Sequence, residues 1–360
     1  MSQSTCEIPE ECWAGVVKNE GPDFHVEIEK VPVPEIGPED VLIRLNTTGL
    51  CLSDVHLMSN DWNLPKMSAM GTKCAGHEGA GVIVKVGERV KCLKVGQRAG
   101  YKPIHDVCHT CEACKSGRET YCLSAIYSGC HVNGSYQEYI VSPERYTSLI
   151  PDGVSDYVAG PIMCSASTAY SSIKESGLRA GQWAVFLGGG GGVGIQGVQL
   201  ASAMSLRVIA VDTGTERAAL ARKYGAEEFV DFKTEDPVKK VLELTGGGAH
   251  GVFVTAVQSY PIAPSYMGSR AGAKVMCIGV APMGKYHVDL DTTQLIFRNQ
   301  SVLGTLVSSL QDVDETLEFA RRGKLTLNPT VVGLSKLNES VQKLKQGNVA
   351  GRIVLDFNMP

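Results

Sequence analysis

Four cysteines fall within fifteen positions, Cys108, Cys111, Cys114 and Cys122, in the spacing C-x2-C-x2-C-x7-C. Thiolates this close, folded into one lobe, satisfy the tetrahedral preference of Zn2+ and leave no open position, the character of a structural site. A disulfide staple and an iron–sulfur ligand set are rival uses, although the run lacks the Pro that often follows the last cysteine of an iron–sulfur set. Chemistry needs an open metal position, and other segments carry residue types that supply one. "GLCLSDVH" contains Cys51, Ser53, Asp54 and His56, "AGHEGAG" contains His77 and Glu78, and "PIMCSAST" contains Cys164. Two thiolates and one imidazole would hold a zinc with its fourth position left for water or substrate. Taken singly, each piece reads as well as an ordinary core or surface residue.

A second kind of chemistry is written in glycine. After the apolar run "WAVFL" comes "GGGGGVGIQGVQLASAM", in which Gly189, Gly191 and Gly194 fit G-x-G-x-x-G. In that pattern the first glycine makes a tight turn, the second admits a pyrophosphate, and the third lets helix and strand pack closely. Gly192, Gly194 and Gly197 fit the same pattern, but only the first register sits at a strand-to-helix turn. The next apolar run, "LRVIAVD", ends in Asp212, eighteen residues after Gly194. A carboxylate there suits the ribose hydroxyls of NAD and would repel the 2'-phosphate of NADP.

These residues need elements to hold them. Residues 13–150 contain short β-rich runs cut by Gly and Pro, such as "DVLIRLN" and "GAGVIVKVG", which predict an irregular β-rich domain. From about residue 165, "QWAVFLG", "LRVIAVD", "HGVFVTA" and "AKVMCIG" alternate with helix-like stretches, among them "ERAALARKYG". That alternation predicts an α/β fold with a doubly wound parallel sheet. "GRIVLDFNM" at 351–359 reads as a final strand that returns to the first domain. The division expected is therefore a discontinuous domain of residues 1–164 and 305–360 around a dinucleotide-binding domain of 165–304.

With 360 residues, 43% of them hydrophobic, the chain is long enough for two domains. Its formal net charge of -4, without a Lys/Arg block, excludes the electrostatic footprint of a nucleic-acid binder. No apolar stretch reaches the length of a membrane span, and the acidic N-terminal segment has no export pattern. Twelve cysteines in such a chain read as thiols or metal ligands in the cytoplasm, not as disulfides.

"GHEGAGVIVKVG", the four-cysteine lobe, "GLCLSDVH" and the glycine turn stand in the same order as in the zinc-dependent medium-chain alcohol dehydrogenases. The chain resembles that family over essentially its whole length, and most closely the fungal, yeast-type branch. The resemblance implies a GroES-like catalytic domain beside a Rossmann domain, with NAD and two zinc ions per chain, one catalytic and one structural. Carried over, it makes Cys51, His77 and Cys164 the catalytic zinc ligands, with Glu78 an acid that approaches the metal. Asp54 becomes the carboxylate that orients the zinc imidazole. Ser53 and His56 become a proton relay over the cofactor ribose, and Cys108 to Cys122 the structural zinc lobe. Thr168 and Val193 match contacts on the nicotinamide side, Asp212 and Arg217 those on the adenosine side, and Arg352 a pyrophosphate contact. Gly192 and Val280 join the cofactor residues. The implied reaction is reversible hydride transfer between NAD and an alcohol, aldehyde or ketone, in a homotetramer or dimer. A zinc hydrolase and a non-catalytic NAD-binding protein are the alternatives on the same residues.

The chain departs from that family in three ways. Leu52 stands where relatives commonly carry a basic residue that contacts the pyrophosphate. Met58 and Pro103 stand where ethanol-specific relatives carry tryptophans, while Trp62 is kept, so a substrate bulkier than ethanol is expected. Gln97 replaces a usual Asp with no assignable consequence. His25, His105, His109, His131, His250 and His287 have no motif around them and read as surface or ordinary hydrogen-bonding residues. Cys6, Cys12, Cys74, Cys92, Cys130 and Cys277 read as free thiols.

Overall fold

The structure is a computed structural model that describes residues 7–360, so Cys6 lies outside the described residues. The runs after residue 165 form a six-stranded parallel sheet. Its spatial order is Glu228–Asp231, Arg207–Asp212, Trp183–Leu187, Gly251–Val254, Lys274–Cys277 and Ser301–Gly304. Chain order reverses beside the strand Trp183–Leu187, which pairs with both the second and the fourth strand. A crevice opens at such a switch point, outside the carboxyl ends of the strands.

Why these runs are continuously apolar follows from the layers. All five residues of Trp183–Leu187 are buried, because helices cover both faces of the sheet. Ala184 and Phe186 point into one core with Val208, Ala210 and Phe253; Trp183, Val185 and Leu187 point into the other with Ile209, Val211 and Val252. Phe186 and Phe253 stack with centroids 4.7 Å apart. Each fully buried side chain of this size contributes about 1.5–3 kcal/mol relative to exposure.

The remaining strands make a mixed sheet built on Asp40–Gly49, which pairs with Gly79–Val86, Tyr139–Pro143 and Ile353–Asp356. The strand read from "GRIVLDFNM" runs antiparallel to Asp40–Gly49, with Val354 opposite Gly49. Two features of this body position chemistry. The helix Leu52–Ser59 starts immediately after the sheet strand, with Cys51 at its N-cap. Further on, a helix over Asp156–Pro161 widens into a π turn over Ile162–Ala166 before continuing as Ser167–Ser176. Such wide turns bulge the backbone and re-aim side chains, and this one carries Cys164.

Among the described residues, no helix is long and apolar enough to cross a membrane. The eleven described cysteines are all free. Gln97 lies at a turn, where its Oε1 accepts the Lys94 N–H at 2.7 Å.

Candidate active site and metal centres

A cleft of about 700 Å³ runs between the two bodies, lined by Cys51, Ser53, His56, His77 and Cys164 on one side and the glycine turn on the other. Ligand atoms of Cys51, His77, Glu78 and Cys164, all buried, lie within 4.8 Å of one another. Asp54 organises this group from beneath. It is fully buried and accepts His77 Nδ1–H at 2.7 Å, the Gly76 N–H at 3.1 Å, the Tyr136 hydroxyl at 3.0 Å and the Cys51 N–H at 3.3 Å. Because a carboxylate only accepts, His77 Nδ1 carries a proton. Nε2 has no hydrogen-bond partner within range and lies in the same group as the two sulfurs.

The electrostatics of the group are those of a cation site. Cys51 is held well below the usual thiol range, first by the hydrogen bond from Cys164 and then, against burial, by His77. Cys164 is pushed up by the same bond and by burial. Burial would lower His77, but Asp54 and Cys51 together lift it well above its ordinary value. Glu78 is pushed up to about 7 by burial, opposed by Arg352. Its Oε2 forms a buried ion pair with Arg352, while Oε1 has no partner. Two unpartnered buried polar atoms, His77 Nε2 and Glu78 Oε1, beside two thiols that share a proton fit a zinc ion, which would displace protons from the group and accept the ring nitrogen's lone pair.

His56 stands on the next turn of the same short helix. Its Nδ1 lies 2.8 Å from Asp61 Oδ2, which puts the ring proton on Nδ1 and leaves Nε2 a free acceptor. Asp61 is the partner that sequence reasoning missed; it lies five residues beyond His56, past the left-handed Asn60 that ends the helix. Tyr136, holding Asp54 from a distant segment, had no local signal at all.

The glycine turn follows the motif with one shift. The left-handed backbone is at Gly188, with φ of 90°, rather than at Gly189. Gly189 is instead pressed on the neighbouring strand, where a Cβ would lie 2.6 Å from that of Ala210. A Cβ on Gly194 would meet the Gly188 carbonyl at 2.1 Å, so this third glycine permits the close helix–strand approach. Gly191, the N-cap of the twelve-residue helix Gly192–Ala203, faces the cleft with Gly192 and Val193. Asp212 closes the turn by accepting the Gly190 N–H at 2.9 Å, and it also pairs with Arg217 at 2.9 Å. Arg217 in turn donates to the carbonyls of Gly347 and Val349, and Arg352 lies against Gly192. Thr168 and Val280 also line the cleft, and Thr168 Oγ1 is a buried hydroxyl without a partner.

The expectation for Met58 is corrected. It is fully buried among Phe24, Leu50, Val55 and Met67 and does not line the cleft. The reason is helical phase: Met58 follows Val55 by three residues and shares its inward face. Leu57, Trp62 and Pro103 form that wall of the cleft instead. Of the six histidines without a motif, His131 also faces the cleft.

The second cysteine group stands apart. Sulfurs of Cys111 and Cys114 lie 3.5 Å apart, those of Cys108 and Cys122 3.5 Å, and those of Cys108 and Cys114 4.0 Å. A tetrahedron with Zn–S bonds of about 2.3 Å has edges of about 3.8 Å, so the four thiols suit that ion. Backbone and side-chain hydrogen bonds from Thr110 hold Cys108 down at about 5, while burial and the other sulfurs push Cys114 up to about 12. The lobe docks on the strand end and loop that follow the parallel sheet: Tyr121 OH donates to Gly304 O at 3.5 Å, and Leu310 N–H to Glu119 Oε1 at 3.3 Å.

Comparison with known proteins agrees with this geometry. Residues 37–152 match the family model of the alcohol dehydrogenase GroES-like domain, and residues 192–322 that of the zinc-binding dehydrogenases. An alcohol dehydrogenase of Schizosaccharomyces pombe is 38% identical, covering 98% of this chain and 99% of its own. Alcohol dehydrogenase 1 of Neurospora crassa is 37% identical, with 97% and 98% covered. Among solved structures, acetophenone reductase from Geotrichum candidum in complex with NAD superposes with a TM-score of 0.83, at 25% identity and with 98% and 99% covered. A zinc-suited thiol and imidazole group facing a dinucleotide turn, on a chain so related along its length, leads to one assignment: the protein belongs to the zinc-binding alcohol dehydrogenase family.

Proposed function

We propose that the protein is an NAD-dependent alcohol dehydrogenase in which Cys51, His77 and Cys164 hold the catalytic zinc and the four-cysteine lobe a structural one. The observation that carries this reading is that the buried group of Cys51, His77, Glu78 and Cys164 opens into the same cleft as the glycine turn. A hydrolase has no use for that turn or for Asp212. When bound, zinc supplies a Lewis acid that lets an alcohol ionise near neutral pH. Ser53 Oγ takes up the substrate proton, and His56 Nε2, kept free by the Asp61 bond, receives it at the far end of the relay. Glu78 Oε1 stands ready to approach the metal as ligands exchange. The backbone at Gly191, Gly192 and Val193 and the Arg352 guanidinium bind the pyrophosphate, Asp212 and Arg217 take the adenosine side, and Thr168 and Val280 the nicotinamide side.

The substrate is bulkier than ethanol. Its side of the cleft is walled by Leu57, Trp62, Leu64, Pro65 and Met70, and Pro103 leaves open what an indole would fill. The relative that reduces acetophenone supports that size class. The catalytic body comprises residues 1–164 and 305–360, and the cofactor body 165–304. That none of the eleven described cysteines is in a disulfide suits the reducing cytoplasm. The protein assembles as a homotetramer or dimer; in support, Ile296 is 78% and Phe297 84% exposed beside the edge strand Ser301–Gly304.

The test is zinc content of the purified protein together with NADH absorbance on short, long and aromatic alcohols. Two zinc ions per chain and rates rising with substrate bulk are expected. One zinc and no NADH change would remove the catalytic centre from this reading.

Leu52 carries a separate prediction. It is 41% exposed and faces the cleft without any charge to offer a phosphate. Leu52→Arg is expected to tighten NAD binding by roughly tenfold, the worth of one charge-assisted hydrogen bond. Fluorescence titration with NADH reads it directly, and an unchanged dissociation constant would sink the idea.

A further inference from the structure

The turn from Tyr127 to Gly134 packs on the segment that carries His77. A Cβ on Gly134 would lie 2.0 Å from the Gly76 carbonyl, so the two backbones are in contact. On its other side, Ser128 N–H donates to Pro103 O at 2.9 Å and Ser128 Oγ to Lys102 O at 2.7 Å. Held on both flanks, the turn presents Tyr127, Cys130 and His131 to the cleft. The rings of Tyr127 and His131 stack, with centroids 5.8 Å apart and planes inclined by 30°.

Backbone geometry fixes the chemistry of this imidazole. The Tyr127 N–H donates to His131 Nδ1 at 3.0 Å. A backbone N–H can only donate, so Nδ1 is the acceptor and the ring proton sits on Nε2. In the same cleft Leu57, Leu64, Pro65 and Met70 offer no polar atom, and the Ser128 hydroxyl is already spent inward. Neither zinc binding nor the proton relay uses this donor.

We propose that His131 determines substrate specificity by donating its Nε2–H to an oxygen that lies away from the reacting carbon. The site then selects alcohols and carbonyl compounds with a distal ether, ester or hydroxyl oxygen over their hydrocarbon isosteres. This rests on the alcohol dehydrogenase reading above. A hydrocarbon at that point leaves the N–H unpaired once water is displaced, which is the stronger half of the discrimination.

The experiment compares kcat/KM for n-alkanols with alkoxy alcohols of equal length, the ether oxygen placed at successive distances from the carbinol carbon. Expected is a preference of about three- to tenfold for the ether at one distance, the range of a single hydrogen bond. In His131→Phe, which keeps an aromatic ring for the stack, that ratio should fall to about one. In His131→Gln, which restores a donor, it should recover at least in part. A wild-type ratio near one at every distance, or a ratio that persists in His131→Phe, overturns the proposal while leaving the activity intact. Absence of NADH formation from every alcohol would instead overturn the underlying reading.

Discussion

Cys164→Ala is expected to lower kcat/KM for alcohol oxidation by about a thousandfold or more, and to leave one zinc per chain instead of two. Zinc assistance is worth several kcal/mol, and each 1.36 kcal/mol is tenfold in rate. The loss is steep because this site has only two sulfurs and one ring nitrogen to offer, so removing a sulfur leaves two firm ligands and a Glu78 already paired with Arg352. The change is small in volume and lies in a π turn, so circular dichroism should barely move, while thermal unfolding falls only by the share the lost ion contributed. Metal analysis by atomic absorption checks the count. A variant with both zinc ions and more than a tenth of the parent rate would show that Cys164 is not a ligand.

Cys111→Ser acts on the other centre and should act mainly on stability. The lobe holds one four-residue helix, Glu112–Lys115, and one 3-10 turn, Glu119–Tyr121, with Leu123 fully exposed. Its apolar cluster buries only Ile104, Val107, Cys122 and Tyr146, with the other three cysteines and Ala125, Tyr127, Val307 and Leu310 partly buried around them, a small core for a lobe of this size. Metal binding is therefore a large part of what folds it. Expected are one zinc per chain, proteolysis within residues 107–125, and a Tm lower by about 10 °C or more. Activity should fall as well, because the lobe is docked on the 304–310 segment and Thr305, Leu306 and Val307 line the cleft. An unchanged Tm with two zinc ions retained would show that Cys111 is not needed to hold the metal.

Local pattern carried much of this architecture. The apolar strand, the glycine turn and Asp212 were legible because they follow one another within a single strand–turn–helix–strand stretch. The four cysteines were legible because they too fall within one short stretch. Pairings across the chain were not: Tyr136 reaches Asp54 from a bend whose N–H is held by the Ala75 carbonyl, and Arg352 reaches Glu78 from the residue before the C-terminal strand, contacts that no short window contains. Met58 was misread although its information was local, since counting from Val55 places it inward. His131 was passed over because its importance comes from one backbone N–H that fixes its tautomer, a feature of conformation and not of residue type.

The pairing of Ile353–Asp356 with Asp40–Gly49 has a consequence for how the molecule is made. Nearly the whole chain separates these neighbours, whereas the parallel sheet draws its strands from one continuous stretch. On the ribosome the cofactor sheet can close as soon as Ser301–Gly304 emerges, while the body that bears both cysteine groups waits for residues synthesised after it. Thiols assigned to zinc thus spend much of translation in an unfinished sheet.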